Sequence, residues 1–213
     1  MTELSKQDII NMIIERRGYT SLLEVSTAHS GFVFDSIRAP HKERMRCTDD
    51  VWGDNDDGIP TVIAAPASEI WHRLAIENRS YDLIFLDGVH TLKQSREDLD
   101  EGLKRLAPGG CLIVHDCDPP DERHTGDVPQ QGQWCGEMYR AFCELRVACN
   151  DETAACVVDT DFGCGIVERE SNIRRAGTNG PRIPTDFDDF VARRTELLNL
   201  ITPAEFLIRF IGP

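Results

Sequence analysis

The chain has 213 residues, of which 40% are hydrophobic and 28% are charged, and its formal net charge is −14. This composition is typical of a globular protein that buries a core, and the length fits one domain better than two. Because an acidic surface repels phosphate backbones, we do not expect nucleic acid to be a partner.

The cysteines and the N-terminal residues indicate a reducing compartment. No two of the eight cysteines have the C-x-x-C spacing of zinc ribbons and redox motifs, and several lie in apolar runs, where a thiol packs as a small hydrophobe. The first residues lack the apolar core of a signal peptide, and no stretch is long enough to span a bilayer. We therefore expect a cytoplasmic protein without disulfides and without membrane contact.

Alternating helices and strands are predicted for the first part of the chain. Residues 4–17 have helical apolar spacing, with Ser5 as N-cap and Gly18 as the stop. Short apolar runs predict strands at 21–25, 44–48 and 61–65, and helices starting at 31 and at 68. Residues 50–60 are acidic and contain Gly and Pro, which predicts a loop.

Continuous apolar runs at 81–86 and 111–116 predict two buried parallel strands. A helix over 91–106 separates them and is ended by Pro108-Gly109-Gly110. A loop over 117–133 and a helix over 134–145 follow, and then a pair of strands at 155–159 and 163–168. After a loop at 171–186, residues 187–211 are predicted to be helical in two pieces, which pack on the core or on a dimer partner.

This order of elements predicts one α/β domain over residues 1–213. Strands that alternate with helices form a mostly parallel sheet with helices on both faces. The two strands close together near the end of the chain add one antiparallel strand.

Ligands of parallel sheets bind beyond the carboxyl ends of the strands, and each predicted strand end here carries polar groups. A turn of small residues follows Glu24, and Asp49 follows the second strand. Such a turn lets the backbone approach a ligand, and such an acid accepts hydrogen bonds from a ribose, which favours an adenosyl-cofactor site. The alternative is an ordinary strand-to-helix turn, capped by Ser26 or Ser30.

Four residues after the fourth and fifth predicted strands are candidates for catalysis. His90 and His115 are candidate general bases, because the unperturbed imidazole pKa is about 6.5, and Asp87 and Asp116 are placed to orient them. Alternatively, Asp87 and Asp116 hold one divalent metal ion, Mg²⁺ or similar, together with His90 or with His115. In the structural alternative, Asp87 caps a turn and His115 is a hydrogen-bonded core histidine.

The stretch Tyr-Asp-Leu-Ile-Phe-Leu-Asp-Gly-Val-His at 81–90, followed by Ala-Pro-Gly-Gly-Cys-Leu-Ile-Val-His-Asp-Cys at 107–117, resembles the class I S-adenosylmethionine-dependent methyltransferases. It is most similar to a small-molecule subgroup with D-G-x-H after the fourth strand and H-D after the fifth. The resemblance extends from about Leu22 to about Val167. It implies a Rossmann-like, seven-stranded sheet whose last strand is antiparallel.

The resemblance also implies the residues of a cofactor site. Glu24 matches the acid that ends motif one, Asp49 matches the acid that binds the ribose, and Asp87 belongs to the same site. The residues matched to the cofactor loop are Ser26, Ser30 and Gly31, and those matched to the adenine contact are Ala67 and Ser68. One departure is the Ser26-Thr27-Ala28 turn, which stands where the family has G-x-G.

The resemblance bears on the metal as well. Related sugar O-methyltransferases place acids around a metal at the ends of the fourth and fifth strands, usually with a pair of acids where this chain has His115-Asp116.

The loop over 117–136 is a candidate substrate lid, because long loops in compact domains are often functional. Trp134 and Tyr139 are candidate contacts for the acceptor. For Trp134, the alternative is packing between helix and sheet.

The leading hypothesis is therefore a methyltransferase that uses S-adenosylmethionine to O-methylate a small metabolite or a sugar-like hydroxyl. Two alternatives stay open. The altered turn at Ser26-Thr27-Ala28 favours a binding protein that keeps the fold without catalysis. A nucleotide-dependent oxidoreductase is the other, although the chain lacks G-x-G-x-x-G. The expected partner is a small-molecule acceptor, and a homodimer is left open.

Overall fold

The computed structural model describes residues 4–27, 31–48, 61–75, 79–130, 132–149, 155–168 and 183–212. Ser30 and Asp49, both predicted to bind the cofactor, lie outside these ranges, as do the predicted loop at 50–60 and residues 171–182. The strands are β1 (Ser21–Ser26), β2 (His41–Cys47), β3 (Ile63–Ala65), β4 (Tyr81–Asp87), β5 (Leu106–Val114), β6 (Ala155–Val158), β7 (Cys164–Glu168) and β8 (Leu200–Ile201). The helices are α1 (Lys6–Arg17), α2 (Gly31–Ser36), α3 (Ala67–Ala75), α4 (Leu92–Arg105), α5 (Met138–Ala148), α6 (Phe187–Leu198) and α7 (Pro203–Phe206), and a π-helical turn (Leu207–Ile211) follows α7.

One sheet joins the eight strands in the order β3-β2-β1-β4-β5-β7-β6-β8. Strands β1 to β5 pair in parallel, and β7 is antiparallel to both of its neighbours, β5 and β6. The mostly parallel, Rossmann-like sheet with one reversed strand is therefore confirmed. The predicted count of seven strands is wrong, because Leu200 and Ile201 add an eighth, parallel to β6.

Helices cover both faces of the sheet, each over its own hydrophobic cluster. One cluster joins β1, β4 and β5 to α3, α4, α5 and α6, with Trp71, Phe142 and Phe190 at its centre. The other lies beneath α1 and α2 and the end of the chain, and it includes Ile10 and Phe206. The C-terminal segment thus packs on this chain's own core.

Helix α1 begins and ends where the sequence predicts. Ser5 and Asp8 form a capping box, and Gly18 closes the helix in the left-handed conformation with φ 64°. Ile9, Ile10 and Ile13 are buried against the sheet. This anchoring matters for function, because it fixes Lys6 in the first turn of α1.

Strand β5 differs from its prediction. Pro108-Gly109-Gly110 was expected to precede the strand, whereas β5 begins at Leu106 and includes all three residues. Tyr81 pairs with Leu106 and Leu83 pairs with Cys111. The β5 residues between Leu106 and Cys111 therefore bulge out of the ladder, and regular pairing with β4 resumes at Cys111. Helix α5 is also shifted along the chain: it begins at Met138, since Gly136 takes φ 59° just before it, and it continues to Ala148.

The cysteines lie mostly in the interior of the protein. Cys111, Cys117, Cys135, Cys143, Cys156 and Cys164 are buried and form no disulfide. Among the described helices, none is both long enough and apolar enough to cross a membrane.

The turn between β6 and β7 depends on a tight backbone contact. Asp161, Phe162 and Gly163 have φ of 48°, 59° and 85°. The carbonyl oxygens of Phe162 and Gly163 accept hydrogen bonds from the backbone N–H groups of Asp118 and Cys117 at 2.8 and 3.1 Å. A Cβ on Gly163 would lie 2.5 Å from the Asp118 Cβ, so only glycine fits there.

We predict that Gly163→Ala destabilises the fold more than Gly109→Ala. Both glycines have left-handed φ, of 85° and 75°, but a Cβ on Gly109 meets no atom within 4 Å. The shared backbone strain costs about 1–2 kcal/mol, and the clash with Asp118 adds at least about 1 kcal/mol for Gly163. Urea unfolding followed by circular dichroism measures both free energies. Equal losses would show that the Asp118 contact has no weight.

Candidate active site

A cavity of about 550 Å³ lies beyond the carboxyl ends of β1, β4 and β5. This volume is within the range of about 300–1,000 Å³ that small-molecule sites occupy. The polar and aromatic side chains that line it include Lys6, Asp87, His90, His115, Asp116 and Trp134.

The ends of β4 and β5 bring three predicted site residues together. The two strands are neighbours, and the His115 N–H donates to the Leu86 carbonyl at 3.0 Å, which continues the ladder to the end of β5. Ligand atoms of Asp87, His90 and Asp116 all lie within 4.8 Å of one another. Because adjacent strands are about 5 Å apart, side chains that leave both ends meet over the cavity.

His90 is held by Asp116 and leaves one ring nitrogen unused. Its side chain is 4% exposed, and Nδ1 lies 3.1 Å from Asp116 Oδ2. We assign the proton to Nδ1 on this geometry, since a carboxylate only accepts hydrogen bonds. Nε2 is buried, lies 3.9 Å from Asp87 Oδ1, and has no hydrogen-bond partner among the described residues. In the neutral ring that keeps its proton on Nδ1, Nε2 is the nitrogen with a free lone pair.

Asp116 holds a strained backbone conformation immediately after β5. Its φ is 61°, in the left-handed region that non-glycine residues seldom occupy. Such strain persists only where the surroundings fix it, and it is concentrated at functional sites. Here the Asp116 carboxylate contacts both His90 and His115, at 3.1 and 3.4 Å.

His115 is surrounded by carboxylates. Its ring nitrogens lie 3.4 to 3.5 Å from Asp87, Asp116 and Asp161, three residues that we call the acid cluster. Burial acts to lower the pKa of His115, but the charges of Asp116 and Asp87 outweigh it and raise the pKa well above the ordinary value. His115 is then an imidazolium that balances charge. The prediction of His115 as a general base stays a prediction.

Lys6 is a site residue that the sequence analysis missed. Its Nζ donates to Asp87 Oδ2 at 3.1 Å and lies 3.3 Å from His115 Nδ1. Burial acts to raise the pKa of Asp87, but Lys6 and His115 hold it well below its usual range. No local pattern marks Lys6, because its role depends on where α1 lies relative to the strand ends. Asp161 was missed for the same reason.

The side chain of Glu24 belongs to a buried network of polar contacts with Arg44. Glu24 Oε1 accepts from the Ser26 hydroxyl at 2.7 Å and lies 3.3 Å from Arg44 Nε, and both charged side chains are fully buried. Arg44 also donates to the Ser26 hydroxyl and to the Thr27 carbonyl, at 2.9 and 2.6 Å. The Ser26 hydroxyl is thus engaged inside the protein. Glu24 Oε2 is buried and has no hydrogen-bond partner in the described ranges.

The other predicted cofactor residues are placed by α2 and α3. Gly31 is the first residue of α2. Ala67 is 2% exposed and belongs to the hydrophobic core, whereas Ser68 is exposed in the first turn of α3. The prediction for Asp49 stays outside the described residues.

The two predicted acceptor contacts differ in position. Trp134 lines the cavity and stacks on His90, with ring centroids 6.3 Å apart, and its Nε1 is buried with no partner among the described residues. Tyr139 does not line the cavity. It packs against Phe187 and Phe190 of α6, with centroids 6.1 and 4.6 Å apart. Tyr139 is buried on the face of α5 that is turned to the core.

Backbone hydrogen bonds hold the segment around Trp134 against the site. The His124 carbonyl accepts from the N–H groups of Cys135 and Gly136, and the His90 carbonyl accepts from Glu137 at 2.8 Å. A Cβ on Gly136 would lie 2.3 Å from the His90 carbonyl oxygen. The candidate lid is therefore packed directly on His90.

We predict that Glu24 makes stability fall as pH rises. Burial raises the pKa of Glu24 to about 7 from an ordinary 4.5, although Ser26 and Arg44 both favour the carboxylate. Between these values the unfolded chain has released a proton that the folded chain keeps. The wild type should therefore lose up to about 3 kcal/mol of unfolding free energy relative to Glu24→Gln from pH 4.5 to pH 8. Urea titrations across this range measure the difference.

The control for that experiment is Glu196→Gln, which removes an exposed carboxyl of α6. Its difference from the wild type should stay flat over the same range. A flat difference for Glu24→Gln as well would show that Glu24 is ionised throughout.

Comparison with solved structures finds methyltransferases at low sequence identity. An O-methyltransferase from Bacillus cereus in complex with SAH is 16% identical over 76% of this chain and 79% of that chain, with a TM-score of 0.48. The O-methyltransferase TomG from Streptomyces achromogenes in complex with SAM is 15% identical over 76% and 77%, with a TM-score of 0.48. The MycE methyltransferase in complex with Mg, SAH and mycinamycin VI is 16% identical over 84% and 51%, with a TM-score of 0.43.

Comparison by sequence gives one assignment. No curated protein matches this chain. The family model described as a methyltransferase domain matches residues 12–117, which is about half of the chain and includes β1, β4, β5 and the D-G-x-H turn. The chain therefore belongs to the class I S-adenosylmethionine-dependent methyltransferase family.

Proposed function

We propose that this protein transfers a methyl group from S-adenosylmethionine to a hydroxyl of a small acceptor, and that His90 takes the hydroxyl proton. The observation that carries the proposal is the contact between His90 Nδ1 and Asp116, which leaves Nε2 buried and unpartnered in the cavity wall. A base held in one tautomer by a carboxylate is the arrangement that activates hydroxyl nucleophiles in other enzymes.

The reaction assigns a step to each of these groups. S-adenosylmethionine supplies an electrophilic methyl group on a sulfonium. A hydroxyl is a poor nucleophile while it keeps its proton, so His90 Nε2 accepts that proton as the oxygen bonds to the methyl carbon and the carbon–sulfur bond breaks. Asp116 stabilises the imidazolium that forms on His90. The products are the methyl ether, a neutral thioether and a proton on His90.

The charge of the site fits a sulfonium cofactor. The three carboxylates of the acid cluster face two cations, Lys6 and His115, so one negative charge is left beside the cavity. Thr27 and Gly88 line the same cavity as Asp87. By sequence, Ser30 and Asp49 complete the proposed cofactor site.

A divalent metal ion such as Mg²⁺ fits Asp87, His90 and Asp116, because two carboxylates and one unpartnered imidazole nitrogen are suitable ligands within 4.8 Å of one another. When bound, it would supply a positive charge that polarises the acceptor hydroxyl. The two cations that already contact the acid cluster oppose it.

Trp134 supports an acceptor of small size with polar oxygens. Its ring forms an apolar wall against His90, and its unpartnered Nε1–H offers a buried donor to an acceptor oxygen. Phe162 provides a second aromatic surface in the same cavity. This combination of flat apolar surfaces and directed donors suits a sugar-like or small phenolic hydroxyl compound.

Binding of the cofactor is the first prediction of this proposal. We expect S-adenosylhomocysteine to bind the full chain with one-to-one stoichiometry in isothermal titration calorimetry. S-adenosylmethionine should then be converted to S-adenosylhomocysteine in the presence of at least one member of a panel of glycosides, polyols and phenols. Absence of binding at about 1 mM ligand, the upper end of usual KM values, would reject the proposed function.

The role of His90 gives a second prediction. His90→Gln should lower turnover of an accepted compound by about 10²–10⁴-fold, the usual contribution of general base catalysis, and should leave affinity for S-adenosylhomocysteine within about threefold. His72→Gln is the matched control, because His72 is exposed on α3, and its turnover should not change. Equal turnover in the two variants would remove His90 from the mechanism.

A further inference from the structure

The N-terminal helix places an ammonium group inside the acid cluster. Lys6 Nζ lies 3.1 Å from Asp87 Oδ2, and its side chain is only 17% exposed. The ammonium group therefore forms an ion pair with Asp87 at one edge of the site.

The position of Lys6 is fixed from several sides. Its backbone N–H donates to Asp161 Oδ2 at 3.0 Å, and the Thr160 hydroxyl donates to the Leu4 carbonyl. The Ser5–Asp8 capping box holds the same turn of α1 from the other side. The ammonium thus needs little reorganisation to reach Asp87, which makes its contact with the carboxylate favourable.

We propose that Lys6 is the resident cation of the acid cluster and that it competes with divalent metal ions for Asp87. The inference deepens the proposed function, because it specifies how the acid cluster is neutralised during methyl transfer. The Asp87 carboxylate gives one oxygen to Lys6, while its other oxygen faces His90 and His115. A metal ion at Asp87, His90 and Asp116 would have to displace the ammonium or lie beside it.

Either course weakens metal binding. Displacement leaves the ammonium without its partner, and coexistence sets a charge of +2 a few ångströms from a charge of +1. His115 Nδ1 already contacts both carboxylates, at 3.4 Å from Asp87 and from Asp116. With Lys6 in place, His90 Nε2 is left for the acceptor proton instead of a metal ion.

The test measures Mn²⁺ binding to the full chain by calorimetry and by electron paramagnetic resonance of free Mn²⁺. Lys6→Met should bind Mn²⁺ at least about tenfold more tightly than the wild type, because it removes a neighbouring positive charge from a partly buried site. Lys6→Arg keeps the charge and should stay close to the wild type. Lys104→Met, which removes an exposed lysine from α4, is the control for net charge and should also stay close.

The gained affinity must depend on Asp87. Adding Asp87→Asn to Lys6→Met should abolish the gain, which assigns the ion to the acid cluster. Thermal unfolding followed by circular dichroism verifies that each variant is folded, and Lys6→Gln replaces Lys6→Met if the latter is not.

Equal Mn²⁺ affinity in Lys6→Met and in the wild type would overturn the proposal, and so would the absence of Mn²⁺ binding in both. Neither result bears on the proposed methyl transfer, which is tested separately by S-adenosylhomocysteine binding and by the His90→Gln variant. Conversely, a chain that gains Mn²⁺ affinity without binding S-adenosylhomocysteine would keep the Lys6 inference and lose the proposed function.

Discussion

Charge compensation among buried carboxylates is the constraint on which the candidate active site depends. Asp87 and Asp116 leave adjacent strand ends and are largely buried, and an uncompensated buried ion costs several kcal/mol. The compensation comes from His115, directly after β5, and from Lys6 on α1, which are far apart in the chain. The site therefore exists only when the N-terminal helix is docked, which links the stability of α1 to the chemistry at β4 and β5.

Two acids on the neighbouring strands β1 and β4 show how the balance of burial and charge decides the role of a carboxyl group. For Glu24, burial outweighs Arg44 and Ser26, and its pKa rises to about 7. For Asp87, Lys6 and His115 outweigh burial, and its pKa falls well below the usual range. Glu24 is fully enclosed and supports the β1 turn from inside, whereas Asp87 lines the cavity as a carboxylate. Glu24 is thus a structural group inside β1, and Asp87 is a charged cavity group at the end of β4.

The sequence was informative where function follows from local pattern and strand order. Apolar runs identified β4 and β5, and with them the strand ends that carry Asp87, His90 and Asp116. It was silent about Lys6 and Asp161, because their roles depend on the docking of α1 and of the β6–β7 turn, and no nearby residue encodes that docking. Strand β8 was not predicted, because two residues are too few to show the alternation of apolar and polar positions that marks a strand. Tyr139 was misplaced because helical spacing alone does not tell which side of α5 faces the cavity.

His90 has two possible roles, as a general base and as a metal ligand, and both need the same atom, Nε2. Nδ1 is taken by Asp116, so Nε2 either receives the acceptor proton or binds a metal ion. The surrounding charges decide between these uses, because a proton transferred from a bound hydroxyl leaves the net charge of the site unchanged, whereas a divalent ion adds two positive charges to a cluster that keeps only one negative charge. With Lys6 and His115 both in contact with the acid cluster, proton transfer is the use that the electrostatics favour.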